Sequence, residues 1–494
     1  MTHRHPIPLP AIVRPDHRGR THPDPRADPP TQAFDPANAR TVRIPVVVPD
    51  TVRIATVHNG GRIAAAEGSG PPGPDTGLHD GLALSVSSLI GSAAGFISWL
   101  IAARIMPTAD VGNAQLVVSA FMLVGGVSQL NLGVGLMRWV PNAGQGTSRL
   151  VRRSLLLMMP LSGAIGLVYA LITPRLAAIA AGPDGPFALG LLVFGLACTG
   201  WVVFIVHDFL LVALGKPWWT AWRNGLFAVV RLGLLLALGG VLTLGEFGVV
   251  LSWVAPIVVW IALGTVVIGV LSRRATARAT TDRTPCRADI IGFLAPTAVS
   301  QAAISLLYNQ IPVLVNVRFG PEVGIVFFIA WQAVMVIDLA AVYFMDSMSV
   351  SVGREPHRIN ELAAAARRRL MIIFLPALAL GAALARPLLM IFGAEYAAAE
   401  NVLRLLLLGL AFRLVVAHEL GVRQAIGWGI GFARLQLTSS VLVLLVAIVV
   451  PVTGGGVSAL MPVAIGYVAA QVISAAAVLL FPARRRADLE VRSP

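Results

Sequence analysis

The amino-acid sequence predicts an all-α polytopic membrane protein with about twelve transmembrane helices in two six-helix halves. Three observations predict this fold: an apolar composition, a series of long apolar runs, and a motif repeated near the start of each half. Of the 494 residues, 56% are hydrophobic and 13% are charged, and the mean hydropathy is +0.78. Charged residues make up about a quarter of an ordinary soluble chain. The composition therefore excludes a soluble globular protein.

Residues 1–79 differ from the rest of the chain. They are rich in proline, arginine and histidine, and their longest apolar stretch is the IPVVVP segment at 44–49. A signal peptide needs a continuous apolar core of about 7–15 residues. We therefore predict a disordered, basic cytoplasmic tail. A start codon assigned too early is the competing interpretation.

Apolar runs of membrane-spanning length begin near residue 80. Each has about 20 residues, enough to cross a hydrocarbon core about 30 Å thick. Six runs fall in an N-terminal half at 80–271 and six in a C-terminal half at 290–481, with a basic cytoplasmic linker at 272–289 between them and a cytoplasmic tail at 482–494. The predicted spans are 81–103, 112–137, 154–173, 187–212, 221–240, 247–271, 290–317, 322–345, 370–392, 401–420, 435–453 and 458–481.

Arginine is concentrated in alternate loops and in the C-terminal tail, as at 149–153, 273–287 and 354–369. Because cytoplasmic loops carry the excess of positive charge, we predict a multi-pass protein of the bacterial inner membrane with both termini in the cytoplasm. The loop arginines form no continuous basic stripe, so we predict no nucleic-acid partner. Cys198 lies in an apolar run and Cys286 in the basic linker, which argues against a disulfide between them.

Two segments of the chain share a motif. ISWLIAARIMPTADVGNAQLVVSAFMLV at 97–124 aligns with IPVLVNVRFGPEVGIVFFIAWQAVMVI at 311–337. The second copy begins six predicted spans after the first, an even number, so the halves insert in the same orientation and are related by a pseudo-two-fold axis along the membrane normal, as in parallel-repeat transporters. The competing interpretation is chance recurrence of common turn residues. The matched residues are Arg104, Pro107, Val111 and Gly112 in the first copy and Arg318, Pro321, Val323 and Gly324 in the second.

Two stretches carry a family resemblance. GFISWLIAARIMPTADVGNAQLVVSAFMLVGGVSQLNLGVGLMRWVP at 95–141 resembles the start of polysaccharide-exporting, Wzx-like flippases of the multidrug/oligosaccharidyl-lipid/polysaccharide (MOP) superfamily. RPLLMIFGAEYAAAENVLRLLLLGLAF at 386–412 resembles the family's outer loop and tenth span. The resemblance covers 80–481. It implies a transporter that moves a lipid-linked oligosaccharide to the outer leaflet, as in O-antigen and other cell-envelope polysaccharide export, by alternating access between the halves.

The sequence provides no features of an enzyme. It contains no P-loop, GxSxG or HExxH motif, and the predicted outer loops are too short to hold a catalytic domain. We therefore predict no catalytic residue and no cofactor. His207–Asp208 and His418–Glu419 lack the further ligands that a metal site needs, so no metal site is predicted either.

Arg231, near the middle of the fifth predicted span, is the first candidate for a substrate-binding residue. A charge in a span costs roughly 2.5–3.5 kcal/mol on insertion scales and usually faces the bundle interior. Asn224 and Thr220 lie on the same helix face at 100° per residue. The guanidinium can contact the diphosphate of a lipid-linked sugar. The alternative is a structural ion pair with Asp208 of the fourth span.

Other arginines extend this candidate anion site. In the tenth span Arg404 has Glu400 one turn earlier as a partner, whereas Arg413 lies deeper without such a partner and is the better candidate for lining a cavity. Three further candidates lie at span ends, where snorkelling to the headgroups is the competing explanation. These are Arg104, Arg138 and Arg318.

The seventh and eighth spans supply candidate coupling or gating residues. Pro312 removes a backbone hydrogen bond and bends the helix, and the nearby amides of Gln301 and Asn309 can satisfy the freed groups. This pattern favours a gate hinge or a tolerated kink. Asp338 is expected at the depth of Gln301, where a buried carboxylate either binds a coupling proton or cation or forms a structural hydrogen bond.

Three functions remain open on the sequence alone. The first is export of a lipid-linked glycan, whose partners are that glycan lipid and the membrane lipids. The second is cation-coupled export of small molecules, for which acidic residues in the cavity should outnumber arginines. The third is a non-transporting scaffold whose tail recruits cell-envelope glycosyltransferases or a polymerase.

Overall fold

The computed structural model describes residues 91, 93–354 and 356–481. The predicted tails at 1–79 and 482–494 lie outside these residues. Within the described part the chain is helical, and its β-structure is an isolated bridge between Gly144 and Asp282. The helices of the N-terminal half are α1 (Ala93–Ile105), α2 (Thr108–Ser128), α3 (Leu132–Trp139), α4 (Thr147–Ile172), α5 (Pro174–Ala181), α6 (Phe187–Ala213), α7 (Pro217–Leu234, extended by a π-helical segment at Leu235–Val241) and α8 (Gly245–Arg278).

The C-terminal half repeats this order with small changes. Its first span consists of two α-helices joined by a π-helical segment at Leu306–Gln310. The helices are α9 (Arg287–Ser305), α10 (Ile311–Phe319), α11 (Pro321–Arg354), α12 (Ile359–Ala383), α13 (Ala385–Met390), α14 (Glu400–Ala425), α15 (Gly429–Val449) and α16 (Met461–Leu480).

The prediction of about twelve spans is confirmed. Ten helical segments of the described residues are long and apolar enough to cross a membrane. The shorter apolar helix α1 and the 25-residue helix α12, which carries three consecutive arginines at 367–369, complete the twelve.

Several helices are longer than their apolar runs. α4 begins at Thr147 rather than 154, α12 begins at Ile359 rather than 370, and α8 continues to Arg278. These extensions lie on the side predicted to be cytoplasmic. Arginine is a good helix former whose charged end reaches water, so helical hydrogen bonding continues beyond the apolar residues that define a span.

The predicted span at 112–137 is broken. α2 ends at Ser128 and α3 begins at Leu132, because Leu130 and Asn131 between them adopt left-handed backbone angles with φ of 48° and 56°. Left-handed residues end a right-handed helix. The chain therefore changes direction before α3, which packs against α6 and α9.

The two halves pack their helices in the same way. In the N-terminal half α6 contacts α2, α4 and α8, and in the C-terminal half α14 contacts α11, α12 and α16. A short helix follows α4 in one half and α12 in the other, namely α5 and α13. These matching contacts support the duplication that the repeated motif predicts.

The halves meet along α2, which contacts α9, α10 and α11. A Cβ atom at Gly112 would clash with the backbone carbonyl of Pro321, and one at Gly126 would clash with the side chain of Ser305. Glycine therefore permits close approach at both ends of α2. The Asn316 amide donates to Gly112 O at 2.7 Å and to Gln115 Oε1 at 3.2 Å. The two copies of the motif thus contact each other.

Candidate functional site

An aromatic cluster of the N-terminal half lies beside the C-terminal half. The buried ring of Trp253 on α8 lies 6.4 Å from Trp99, 6.1 Å from Phe121 and 6.0 Å from Trp201 between ring centroids. Trp99 also contacts Phe328 of the C-terminal half, with centroids 5.2 Å apart in a T-shaped arrangement. The rings come from α1, α2, α6, α8 and α11, so the cluster lies where the two halves adjoin.

The guanidinium of Arg231 packs against this cluster. Its Cζ atom is 4.0 Å from the ring centroid of Trp253 and 5.7 Å from that of Phe227. Arg231 is 4% exposed, and its Nε and Nη2 atoms have no hydrogen-bond partner in the described part of the chain. Cation–π contact with Trp and Phe offsets part of the cost of burying this charge. Two directed donors of Arg231 are therefore buried and unsatisfied in this conformation.

Arg231 differs from the other buried arginines of the described residues. Each of those has a carboxylate partner, whereas no carboxylate contacts Arg231 within the described ranges. A buried charge is ordinarily paired, because an unpaired one costs several kcal/mol of desolvation. The other pairs are Arg223–Asp208, Arg413–Asp338 and Arg423–Glu419.

The structural alternative for Arg231, an ion pair with Asp208, is wrong. Asp208 is bound by Arg223 through a salt bridge and by the Asn224 amide at 3.1 Å. Asp208 lies seven residues before Gly215 in the α6–α7 turn and Arg223 eight residues after it, so the two reach the same depth. Arg231 lies two further turns along α7. Equal distance from the hairpin turn is the sequence signal that identifies Arg223. Asn224, a candidate for substrate contact, is engaged in this ion-pair cluster.

A second buried polar cluster lies inside the C-terminal half. Arg413 Nε on α14 is 3.1 Å from both carboxylate oxygens of Asp338 on α11, and both side chains are almost fully buried. Tyr308 donates to Asp338 Oδ2 at 3.0 Å, and Arg413 Nη1 donates to Ser439 Oγ at 3.4 Å. From the sequence, Arg413 was a candidate for lining a cavity and Asp338 a separate candidate for coupling. No sequence signal pairs them, because they lie on helices that are not consecutive.

A small cavity adjoins this ion pair. Its lining includes Tyr308 and Arg413 together with Asp346, Gln424 and Gln436. Asp346 is buried and forms a side-chain hydrogen bond with Gln424. Asp346 was not among the residues that the sequence singled out, although it lies only eight positions, or about two turns, after Asp338 on α11.

The candidate gating residues border an irregular segment. The π-helical segment at 306–310 ends just before Pro312, whose ring nitrogen cannot donate to the carbonyl of residue 308. Gln301 is buried, with Nε2 3.5 Å from Ser305 Oγ, and Asn309 is buried with no partner for Nδ2 among the described residues. The bend expected at Pro312 therefore takes the form of a π-helical insertion, a common cause of helix kinks.

Both halves hold this π-helical segment. Tyr169 of α4 donates to Gln310 Oε1 at 2.7 Å, which links the segment to the N-terminal half. Tyr308 donates to Asp338, which links it to the C-terminal half. Adjacent turns of one span thus contact opposite halves.

The repeat arginines bind backbone carbonyls. Arg104 donates to Met390 O at 3.0 Å and through Nε to Ile391 O at 2.9 Å, at the end of α13. Arg318 donates to Val450 O at 2.6 Å, at the end of α15, and also to Ala447 O. Both satisfy carbonyls that a helix C-terminus leaves free.

Arg138, the remaining candidate, is exposed and lies 5.1 Å from the Phe293 ring centroid. No contact joins Arg104, Arg138, Arg318 or Arg413 to Arg231 within the described ranges. The structure thus does not gather the predicted arginines into one group.

Over the described ranges, no group of three or more His, Cys, Asp or Glu side chains is arranged to hold a metal ion.

In the loop between α8 and α9, the hydroxyl and backbone N–H of Thr284 donate to Asp282 and hold the pKa of that carboxyl below its usual range. These contacts shape the loop.

Comparison with known proteins adds a fold assignment. No protein-family model matches the chain, and no curated protein matches it. Solved structures do match. An inward-facing multidrug resistance MATE family transporter of the MOP superfamily is 19% identical, with a TM-score of 0.58 over 84% of this chain and 99% of that chain.

Two other solved structures are similar. The lipid II flippase MurJ, in an inward closed conformation, is 12% identical, with a TM-score of 0.59 over 82% of this chain and 87% of that one. An outward-facing MATE family transporter is 18% identical, with a TM-score of 0.51 over 83% of this chain and 96% of that one. The chain therefore has the fold of MOP superfamily transporters and is a multi-pass membrane protein.

Proposed function

We propose that this protein is a transporter that moves a lipid-linked oligosaccharide precursor from the inner to the outer leaflet by alternating access between its two halves. Arg231 carries the proposal. It is a buried arginine of the described residues that has no carboxylate partner, and it lies beside an aromatic cluster at the junction of the halves.

The chemistry of this site matches that of a sugar diphosphate carried on a lipid. A guanidinium binds phosphate oxygens through charge-assisted, often bidentate hydrogen bonds, and Nε and Nη2 of Arg231 are the donors left free. Tryptophan combines a large apolar surface with a polar N–H. That N–H of Trp201 also has no acceptor in the described part of the chain. The site therefore supplies an excess of donors beside apolar rings.

The test is transport of a fluorescent polyprenyl-diphosphate-linked disaccharide in proteoliposomes, read out by quenching from outside. A hydrogen bond to a charged group contributes about 1.5–3 kcal/mol, so Arg231→Ala should lower the transport rate roughly ten- to a hundredfold. Arg231→Lys, which keeps the charge but loses the planar fork, should retain part of the rate.

Arg404→Gln is the matched control, because Arg404 is a partly exposed arginine paired with Glu400 at 3.5 Å. Its rate should equal that of the unmodified protein. Equal rates for Arg231→Ala and the unmodified protein would contradict the anion role of Arg231.

Asp346 favours a second candidate function, cation-coupled export of small molecules. It is a buried carboxylate in the small cavity, and its side-chain partner there is the amide of Gln424 rather than an arginine. Such a carboxylate can exchange a proton or a cation. Ethidium efflux from proteoliposomes that responds to a pH or sodium gradient and is lost in Asp346→Asn would favour this function over the first.

The coupling role of Asp338 stays a hypothesis, and it must now take account of the ion pair that Asp338 forms with Arg413. Since Arg413 neutralises Asp338, any proton or cation would have to bind to the pair and not to a lone carboxylate. Transport unchanged by Asp338→Asn across a range of pH and sodium would remove this role.

The scaffold hypothesis is tested by deleting residues 1–79: loss of function would favour it, and retained transport would reject it.

A further inference from the structure

A second repeated pattern connects α4 and α12. The sequence RRSLLLMMP at 152–160 matches RRLMIIFLP at 368–376, so that two arginines precede a proline by the same spacing in both. α4 and α12 occupy equivalent positions, since α4 packs on α6, α12 packs on α14, and each is followed by a short helix. The pattern is therefore present once in each half.

The exposure of the side chains repeats with the sequence. Leu156 and Ile372 are 62% and 60% exposed, and Leu157 and Ile373 are 59% and 53% exposed. The next residue in each sequence, Met158 or its counterpart Phe374, is buried. The equivalent residues thus face the same way in both halves, with the aliphatic pair on the outer, lipid-facing surface of the helix.

The arginines continue this aliphatic surface. Arg152 and Leu156 are four residues apart on α4, as are Arg368 and Ile372 on α12, so each arginine lies one turn from an exposed aliphatic residue on the same face. In a helix the side chains tilt towards the N-terminus. Both helices begin on the side predicted to be cytoplasmic, so the guanidinium groups point towards the headgroups of that leaflet.

These arginines are free to bind an anion. Arg152, Arg153, Arg368 and Arg369 are exposed, and none contacts a carboxylate in the part of the chain that the structure describes. By contrast, Arg358 and Arg404 at other helix ends are paired with glutamates. Two adjacent guanidinium groups above an aliphatic surface match a lipid with a negatively charged phosphate headgroup and acyl chains.

We propose that each half carries a binding site for an acidic glycerophospholipid of the cytoplasmic leaflet, formed by Arg152–Arg153 with Leu156–Leu157 on α4 and by Arg368–Arg369 with Ile372–Ile373 on α12. The phosphate lies against the arginine pair, and one acyl chain follows the aliphatic pair. This proposal does not depend on which molecule the protein transports.

Native mass spectrometry of the full chain, released from detergent micelles with phosphatidylglycerol or phosphatidylcholine, tests the proposal. An arginine near an anionic leaflet contributes about 1 kcal/mol, so removing two should weaken one site about thirty-fold. R152Q/R153Q and R368Q/R369Q should each lose one tightly bound phosphatidylglycerol, and the quadruple variant should lose two. Phosphatidylcholine binding should not change.

The matched control is R273Q/R274Q at the end of α8, which removes the same charge from exposed arginines on the same predicted side. It should retain the phosphatidylglycerol of the unmodified protein. Lysine replacements at the two sites preserve the positive charge that directs membrane insertion, and they should weaken binding less than glutamine. Loss of phosphatidylglycerol in the control equal to that in the site variants, or no loss in the quadruple variant, would overturn the proposal.

Discussion

Arg413 and Asp338 form a buried ion pair between α14 and α11, in which the arginine Nε atom lies 3.1 Å from both carboxylate oxygens. Tyr308 donates a further hydrogen bond to the same carboxylate. The cluster joins three spans of the C-terminal half. The N-terminal half has a buried ion pair of its own, Asp208 with Arg223, which joins α6 and α7. In each half a buried carboxylate is thus neutralised by an arginine.

We expect Asp338→Asn to destabilise the protein strongly. Removing one partner of a buried pair leaves the other charge uncompensated, which costs about 3–5 kcal/mol. Thermal unfolding followed by tryptophan fluorescence should show a lower midpoint. The control is the exposed pair of Arg358 with Glu361, whose side chains are 49% and 70% exposed: because surface pairs contribute about 0–1 kcal/mol, Glu361→Gln should leave the midpoint nearly unchanged. A midpoint for Asp338→Asn equal to that of the control would show that the pair does not stabilise the fold.

Arg231→Met should raise stability while lowering transport. The substitution removes an unpaired buried charge and loses a cation–π contact of about 0.5–2 kcal/mol, which is smaller than the desolvation cost it relieves. Arg223→Met should do the opposite and lower the unfolding midpoint, since it leaves Asp208 without its ion-pair partner. A decrease for both variants would mean that Arg231 has a structural partner and would weaken the proposed anion site.

Asn316→Ala should loosen the contact between the halves. The substitution removes the donor to Gly112 O and Gln115 Oε1. Each hydrogen bond makes a net contribution of about 0.5–1.5 kcal/mol to stability. Spin labels at Ile105 and Glu322, in a variant lacking both native cysteines, report the separation of α1 and α11. We expect a broader distribution shifted to longer distances. Asn113→Ala, which removes a contact with Arg175 inside the N-terminal half, should not shift it.

Pro312→Ala should make the seventh span more regular and slow transport. Alanine restores the N–H that proline lacks and removes the steric clash that favours the kink. We expect a higher unfolding midpoint together with a lower transport rate. Pro376→Ala in α12 is the control, because that proline lies on an exposed surface away from the contact between halves. An unchanged rate for Pro312→Ala would exclude a role for the bend in transport.

Arg318→Gln should destabilise the end of α15 locally. Arg318 donates to the carbonyls of Ala447 and Val450, and a favourable charge at a helix C-terminus contributes about 0.3–1 kcal/mol near the surface. Hydrogen exchange at 446–452 should increase, with little change at the end of α13. Arg104→Gln should produce the reverse pattern. Unchanged exchange in both variants would favour snorkelling to the headgroups.

The sequence predicted those features that depend on hydropathy and local pattern. The length of the apolar runs identified the spans. The motif around Arg104 and Arg318 predicted two halves, and the matching helix contacts of α6 and α14 support that prediction. Helix ends were less predictable, because helices continue through polar turns as at Thr147 and Arg278.

The partners of the buried charges could be predicted only within short range. The pair of Arg404 with Glu400, one helical turn apart, was predicted and is present. The pair of Arg223 with Asp208 was detectable from the equal distance of both residues from the hairpin turn, but Arg231 was the partner considered for Asp208. The pair of Arg413 with Asp338 depends on packing between helices distant in sequence, and periodicity does not encode that contact.

The surface of α2 bears on how the two halves can move. At Gly112 and Gly126 it has no side chain of its own and presents bare backbone to Pro321 and Ser305 of the other half. Packed helices can change position by shear, through small sliding steps of one helix past another. A bulky residue at either glycine would not fit this arrangement and would hold the protein in a conformation in which the halves are farther apart there, and such an arrested form would suit structure determination with a bound substrate.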